Sequence, residues 1–361
     1  MFKRGSLFSE STMFRILLFI CLGLVFLIII SISKRKKEKT MAEMVVMMLG
    51  PRAVGKTTLL ATMYKELIRF RIHSKFDFMA VNDTGIDLDE AYQKLKAVTA
   101  QPNFKPVGPL LSGTAGIVKH QFEIQFNNTK ELDITFCDIA GGLLLSKQGS
   151  NDVDEFKAQM EKSNIFINVI DGAALVEGSV FFSESINRPT RVRDLLKSAI
   201  DAQSKSNHLI LFVITKCETW LKEHWLLNSD RKLREAFEAR FKEVLNLIEG
   251  KQNVVGVYMP VKTLGCVEFS RIEEEEGEEQ ERVIFVRKPN LEFKPELVDQ
   301  PLRYALAFAL AEMDKNRGFW GRTYRWFSGE DKLFRDALSQ FANERRRSPF
   351  KMYGNTGLTG L

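Results

Sequence analysis

Eight consecutive residues constrain this chain more than any other part of it. Gly50-Pro51-Arg52-Ala53-Val54-Gly55-Lys56-Thr57 fits the pattern GxxxxGK[ST]. It follows a short apolar run, 44–49 (MVVMML), suited to a buried parallel strand. It precedes a segment, 58–70, whose Leu59, Leu60, Met63 and Leu67 fall on one helical face. In such a strand–loop–helix unit the glycines let backbone N–H groups wrap phosphates, and the helix N-terminus adds a favourable dipole. Gly50, Arg52, Ala53, Val54, Gly55, Lys56, Thr57 and Thr58 are the candidate phosphate-binding residues. Lys56 reaches the β- and γ-phosphates, and the Thr57 hydroxyl binds Mg²⁺. A chance match in a glycine loop would not carry both flanking elements.

Further along, 117–126 alternates, with His120, Phe122, Ile124 and Phe126 on one face and Lys119, Gln121, Glu123 and Gln125 on the other. After Asn127-Asn128 a second strand, 132–138, completes a hairpin and runs into Asp138-Ile139-Ala140-Gly141, a DxxG. Its Asp can hold a magnesium hydration shell and its Gly N–H can sense a γ-phosphate. Apolar strands follow at 165–170, ending in Asp171, and at 208–214, which leads into Thr215-Lys216-Cys217-Glu218. A last strand, 254–261, precedes Lys262-Thr263-Leu264-Gly265-Cys266.

In this order the motifs resemble the Ras-like and translation-factor class of P-loop GTPases over about residues 42–315. The long segment after the first helix, together with Thr215-Lys216-Cys217-Glu218 and 260–267, resembles the bacterial double-GTPase domains of conflict-system operons. The resemblance implies an α/β fold: a P-loop NTPase, three-layer α/β/α with a mostly parallel sheet. It also implies GTP/GDP and Mg²⁺ as ligands. Thr215, Lys216 and Glu218 then stand as a TKxE form of the guanine-reading [NT]KxD motif. In that motif the acidic group accepts from guanine N1 and N2, and the Lys packs over the base. Glu218 is one methylene longer than the usual Asp.

The segment 71–116 is long for a switch loop; it holds a helix at 88–98 and a turn-rich stretch at 102–113. The resemblance places a switch threonine just before the hairpin, so Thr114 is the candidate for magnesium and γ-phosphate contact, with Ser112 the runner-up. A turn hydroxyl is the competing account of either. The metal set is therefore Thr57, Asp138 and Thr114, and the catalytic set Lys56, Thr114, Gly141 and Arg52. Arg52 reads either as a charge stabiliser acting in cis or, the favoured reading, as a solvated arginine near the switches. Gly142 stands where many Ras-like enzymes carry the glutamine that orients water. Slow intrinsic hydrolysis is expected, raised by a partner or by self-association.

Residues 16–32 (ILLFICLGLVFLIIISI) carry no charge, and 14–32 approaches the length of one membrane span. The run leads directly into Lys34, Arg35, Lys36, Lys37 and Lys39, with no small-residue cleavage site and no polar face. Against Lys3, Arg4 and Arg15 on the other side, that cluster places the following domain in the cytoplasm. Met41 is an alternative start for a soluble form. The expected organisation is a transmembrane anchor at 14–32, a basic juxtamembrane linker at 33–41, a GTPase domain at 42–315 and a basic, aromatic tail at 316–361.

The net charge of +6 gathers at the two ends, which suits a membrane surface better than a nucleic-acid groove. Cys21, Cys137, Cys217 and Cys266 show no ligand spacing and point to a reducing compartment. The acidic run 273–281 interrupts two strand-like stretches, 265–270 and 282–287, and reads as a solvated loop; 301–313 closes the domain as a helix. In the tail an amphipathic helix is expected over 330–345, with Leu333, Phe334, Leu338 and Phe341 on one side. Packed extension and bilayer contact are equal readings of it, with nucleic acid below both. The expected function is a membrane-anchored GTPase switch with a protein effector or regulator, in bacterial defence. The rivals are an ATPase of a membrane complex and a non-hydrolysing nucleotide-dependent adaptor.

Overall fold

The computed structural model describes residues 42–70, 76–101, 104, 111, 116–126, 129–139, 151–221, 230–274, 281–316, 329–347 and 349–359. The expected span at 14–32 and linker at 33–41 lie outside the described residues. Among those described, no helix is long and apolar enough to cross a membrane.

Eight strands form one sheet, in the order β10-β7-β6-β5-β1-β4-β3-β2. They are β1 (Ala42–Leu49), β2 (Phe76–Ala80), β3 (Ile117–Phe126), β4 (Thr129–Ile139), β5 (Ile165–Asp171), β6 (His208–Thr215), β7 (Val254–Pro260) and β10 (Lys351–Gly354). β1, β5, β6 and β7 run parallel, whereas β2, β3 and β4 form an antiparallel meander. The sequence explains this division. β5, β6 and β7 are mostly apolar, with Asn168 the polar residue inside β5, and every residue in them is buried, as central strands covered on both faces must be. β3 alternates as its pattern predicts, with His120, Phe122 and Ile124 buried and Lys119 and Gln121 exposed. A separate two-stranded hairpin pairs β8 (Val267–Glu274) with β9 (Glu281–Arg287).

β1 is flanked by β5 on one side and β4 on the other, so the chain reverses its direction across the sheet at β1. Open α/β sheets bind ligands at such switch points, beyond the carboxyl ends of the strands. α1 (Lys56–Phe70) and α2 (Thr84–Ala100) follow β1 and β2. The helices α3 (Asn151–Met160), α4 (Gly172–Glu177), α5 (Val180–Asn187) and α6 (Pro189–Ala202) come before β6; α7 (Arg231–Arg240) and α8 (Lys242–Glu249) lead to β7. One buried cluster among the described residues joins Met47, Phe156, Phe166, Leu196, Phe212, Phe237 and Tyr258.

Several elements outrun their sequence signals. α1 begins at Lys56 rather than residue 58, because the loop glycine carbonyl already accepts from Leu59 N at 2.9 Å. α2 extends beyond 88–98 at both ends: Thr84 and Thr99 continue the buried stripe of Leu88, Tyr92 and Leu95. Asp83-Thr84-Gly85 reads as a turn locally, and tertiary packing makes it helix.

Residues 329–359, placed by sequence in a separate tail, belong to the same unit, Glu43–Leu361. α9 (Gln300–Asn316) packs on α10 (Gly329–Asn343), and β10 pairs antiparallel with β7 at the sheet edge. Arg303, 1% exposed, fastens the two helices: it donates to Asp299 at 2.6 Å, to the Phe341 carbonyl at 2.5 Å and to Glu344 at 2.9 Å. Its guanidinium also lies 4.0 Å from the Phe341 ring. Leu338 and Phe341 are buried as their spacing predicts; the side chains of Leu333 and Phe334 lie outside those described.

Candidate functional site

The loop between β1 and α1 is shaped by three positive φ angles: 142° at Gly50, 66° at Ala53 and 103° at Gly55. At Gly50 the requirement is doubled, since a Cβ would stand 2.8 Å from the Val169 carbonyl oxygen of β5. The loop thus lies directly on the end of the neighbouring strand, and its amide groups surround the start of α1. Thr57 and Thr58 occupy the first turn half-buried, where unpaired N–H groups and the helix dipole favour an anion. Arg52 is exposed and Val54 fully buried.

Lys56 is 7% exposed. Its Nζ donates to the carbonyls of Gly50 at 2.8 Å and Pro51 at 3.2 Å, and Asp138 Oδ1 stands 3.8 Å away. Burial lowers the Lys56 pKa, and the Asp138 charge opposes that shift. The ammonium therefore spans the loop toward the end of β4, where Asp138 is 1% exposed. Thr114, Ser112, Gly141 and Gly142 lie outside the described residues.

The second half of the site is built at the ends of β5 and β6. Thr215 is fully buried, and its hydroxyl donates to the Val54 carbonyl at 2.6 Å. Lys216 has a left-handed φ of 51°, and its Nζ pairs with Asp171 Oδ2 at 2.5 Å. The other Asp171 oxygen accepts from Ala173 N and Ala174 N, capping α4. Asp171 was visible in the sequence only as a strand end. The Gly-Ala-Ala after it is the local signal for a capping carboxylate.

Glu218 sits where that turn meets the loop before β8. Its Oε1 accepts from Leu264 N at 3.1 Å and Gly265 N at 3.4 Å. Its Oε2 is shut off from solvent without a hydrogen-bond partner. Burial raises the Glu218 pKa; the backbone donors, including those of Leu264 and Gly265, pull it down. Stranding a carboxylate oxygen is costly unless a donor arrives. Two adjacent N–H groups of a guanine edge are donors of the required kind.

The structure thus brings Gly50, Arg52, Ala53, Val54, Gly55, Lys56, Thr57, Thr58, Asp138, Thr215, Lys216 and Glu218 to one end of the sheet, at and beyond the carboxyl ends of β1, β4 and β6. Among the described residues no cluster of three or more His, Cys, Asp or Glu could hold a metal by itself. Thr57 and Asp138 suit Mg²⁺ better, since that ion is held by one or two protein oxygens together with phosphates and water.

A strand, a glycine loop on a helix N-terminus, a carboxylate at the next strand and a base-side TKxE turn define a P-loop GTPase. The family model "Double-GTPase 2" matches residues 44–257. The chain belongs to the Double-GTPase 2 family, and that membership implies binding of GTP and GDP. One solved structure, described as the crystal structure of Era in complex with MgGDPNP and nucleotides 1506–1542 of 16S ribosomal RNA, shares 13% identity. The match covers 77% of this chain and 69% of that one, with a TM-score of 0.29. No curated protein matches the chain.

Proposed function

We propose that this protein is a membrane-anchored GTP-binding switch that hydrolyses GTP to GDP and phosphate slowly. The observation that carries the guanine reading is the Glu218 carboxylate: one oxygen holds the Leu264–Gly265 loop and the other is buried without a donor. In this reading Glu218 accepts from the guanine N1 and N2 groups while Lys216 flanks the ring. The loop amides of residues 50–58 bind the phosphates, and Lys56 leaves the Gly50 and Pro51 carbonyls for the β/γ-phosphates. Mg²⁺, held by Thr57 and Asp138, neutralises phosphate charge when bound, with Thr114 the switch ligand from the sequence.

Slow turnover is supported by Gly142 in place of a water-orienting glutamine and by the exposure of Arg52. Anchoring by 14–32, with the domain cytoplasmic, rests on the uncharged run and the basic cluster after it. A role in bacterial defence, exerted on a protein effector or through nucleotide-dependent self-association, rests on the resemblance of Thr215-Lys216-Cys217-Glu218 and 260–267 to conflict-system domains.

The test is nucleotide titration of the full chain in detergent, comparing GTP, GDP and ATP with Mg²⁺. A guanine preference that Glu218→Gln removes supports the reading. Equal or tighter ATP binding would move the ATPase reading ahead. Tight GTP binding without hydrolysis under any condition would favour the adaptor. Recovery of the protein in the soluble fraction after carbonate extraction would overturn the anchor.

A further inference from the structure

The β8–β9 hairpin is not needed to complete the sheet, and it lies beyond the residues matched by the family. It is nevertheless fastened to the base-side turn. Phe269 N donates to Thr219 Oγ1 at 2.7 Å, and the Phe269 and Trp220 rings lie 5.7 Å apart. At the other end Lys288 N donates to the Cys266 carbonyl at 2.9 Å, and Arg287 donates to the Ala100 carbonyl of α2 at 3.0 Å. β8 leaves directly from the Leu264–Gly265 loop that Glu218 holds.

In register, Phe269 faces Phe285. Phe285 packs against two hydrophobic clusters, one that includes Phe212 and Trp220 and a smaller group of Leu95, Leu264, Cys266 and Val267. It is still only partly buried, and the Lys216 ammonium stands 6.0 Å from its ring centroid. An aromatic face thus sits opposite the TKxE lysine, beside a carboxylate with one vacant acceptor.

We propose that the hairpin is a wall of the base pocket and that Phe285 is the aromatic surface on which the purine ring packs, opposite Lys216. The proposal rests on the nucleotide reading above and deepens it: Glu218 reads the edge of the base and Phe285 holds its face. A ring between Nζ and the Phe285 ring needs two contact distances of ~3.5 Å. Seating it therefore moves the hairpin outward by about 1 Å from the 6.0 Å separation.

The experiment is calorimetric titration of the full-length wild type, Phe285→Leu, Phe285→Tyr and Phe285→Trp with GDP, ADP and inorganic tripolyphosphate. Leucine preserves apolar packing and removes the π face; tyrosine restores it. GDP affinity should fall about 10-fold in F285L and stay within twofold in F285Y. Tripolyphosphate affinity should be the same in all four, which separates a lost stacking surface from a damaged phosphate site or fold. In F285W, GDP should quench the new indole emission relative to the wild-type change, and tripolyphosphate should not. Wild-type GDP affinity in F285L, without base-dependent quenching in F285W, overturns the proposal. If the wild type prefers ADP, the guanine reading fails, and the same ratios measured with ADP still decide whether Phe285 carries the base. If the wild type binds no nucleotide, both readings fall.

Discussion

The Thr215 hydroxyl donates a 2.6 Å hydrogen bond to the Val54 carbonyl, joining residues 161 positions apart in the chain. Through this bond the base-side turn fixes the phosphate loop. Both residues are fully buried, so a Val54 carbonyl without its partner loses solvation as well as the bond. Thr215→Val keeps the shape and deletes the donor. It should cost about 1–2 kcal/mol in urea unfolding and weaken GDP and tripolyphosphate together. Thr215→Ser should restore both. Unchanged stability and affinity in T215V would mean that the bond holds nothing.

Lys56 should matter for ligand binding and little for folding. Its ammonium is buried against loop carbonyls, and burial depresses its pKa. A lysine with a lowered folded pKa leaves the unfolded chain with more bound protons between that value and 10.5. Wild-type stability without nucleotide should therefore rise with pH across this window, and Lys56→Met should lack the rise. At a concentration 100 times its Kd, GDP should stabilise the wild type by about 2.7 kcal/mol and K56M by almost nothing. Thermal melts with and without GDP check both statements.

How much of this was legible in the sequence follows from range. The phosphate loop was readable because GxxxxGK[ST] encodes its own backbone conformation, and the buried strands because both of their faces are apolar. Glu218 was placed by the order of motifs, but its grip on the Leu264 and Gly265 amides was not, since nothing local links positions 46 apart. Asp171 pairs with Lys216 and Phe285 faces the same lysine; each is an ordinary residue until the sheet and the β8–β9 hairpin bring them together. β10 is only four residues long and fell below any periodic signal. Nothing local marks Arg303 as buried, because its partners lie 38 and 41 residues away.

Arg303 gives the sharpest separation of stability from function. Arg303→Ala would take one donor each from the Phe341 carbonyl, from the exposed Glu344 carboxylate and from Asp299, which keeps Gln300 Nε2 at 3.1 Å, within the α9–α10 contact. Since Glu344 is exposed and Asp299 keeps a donor, the cost is about 1–3 kcal/mol, from the lost charged hydrogen bonds and the lost packing of the buried guanidinium. Arg303→Lys should recover little, because a point charge cannot serve three acceptors from a planar fork. Under native conditions GDP affinity should stay within about twofold, as none of these residues touches the candidate site. Denaturant midpoints beside GDP titrations decide it. A large affinity loss at full folding would show that the C-terminal helices act on the nucleotide site.

Glu218 links pH to base choice. Guanine donors need an ionised acceptor, and burial raises the Glu218 pKa above its ordinary 4.5. GDP affinity should thus decline as pH falls through that raised value, approaching tenfold per unit below it. Inorganic tripolyphosphate uses the loop and Lys56 but not Glu218, so the ratio of the two affinities isolates the carboxylate. Folding has the opposite sign. A folded acid with a raised pKa binds more protons than the unfolded chain. Without nucleotide, its cost to stability is present above the raised value and relieved as pH falls toward 4.5. Glu218→Gln should flatten both curves and remove the preference for GDP over ADP. A wild-type affinity ratio that holds steady from about pH 8 down to the ordinary carboxylate range would remove Glu218 from base recognition.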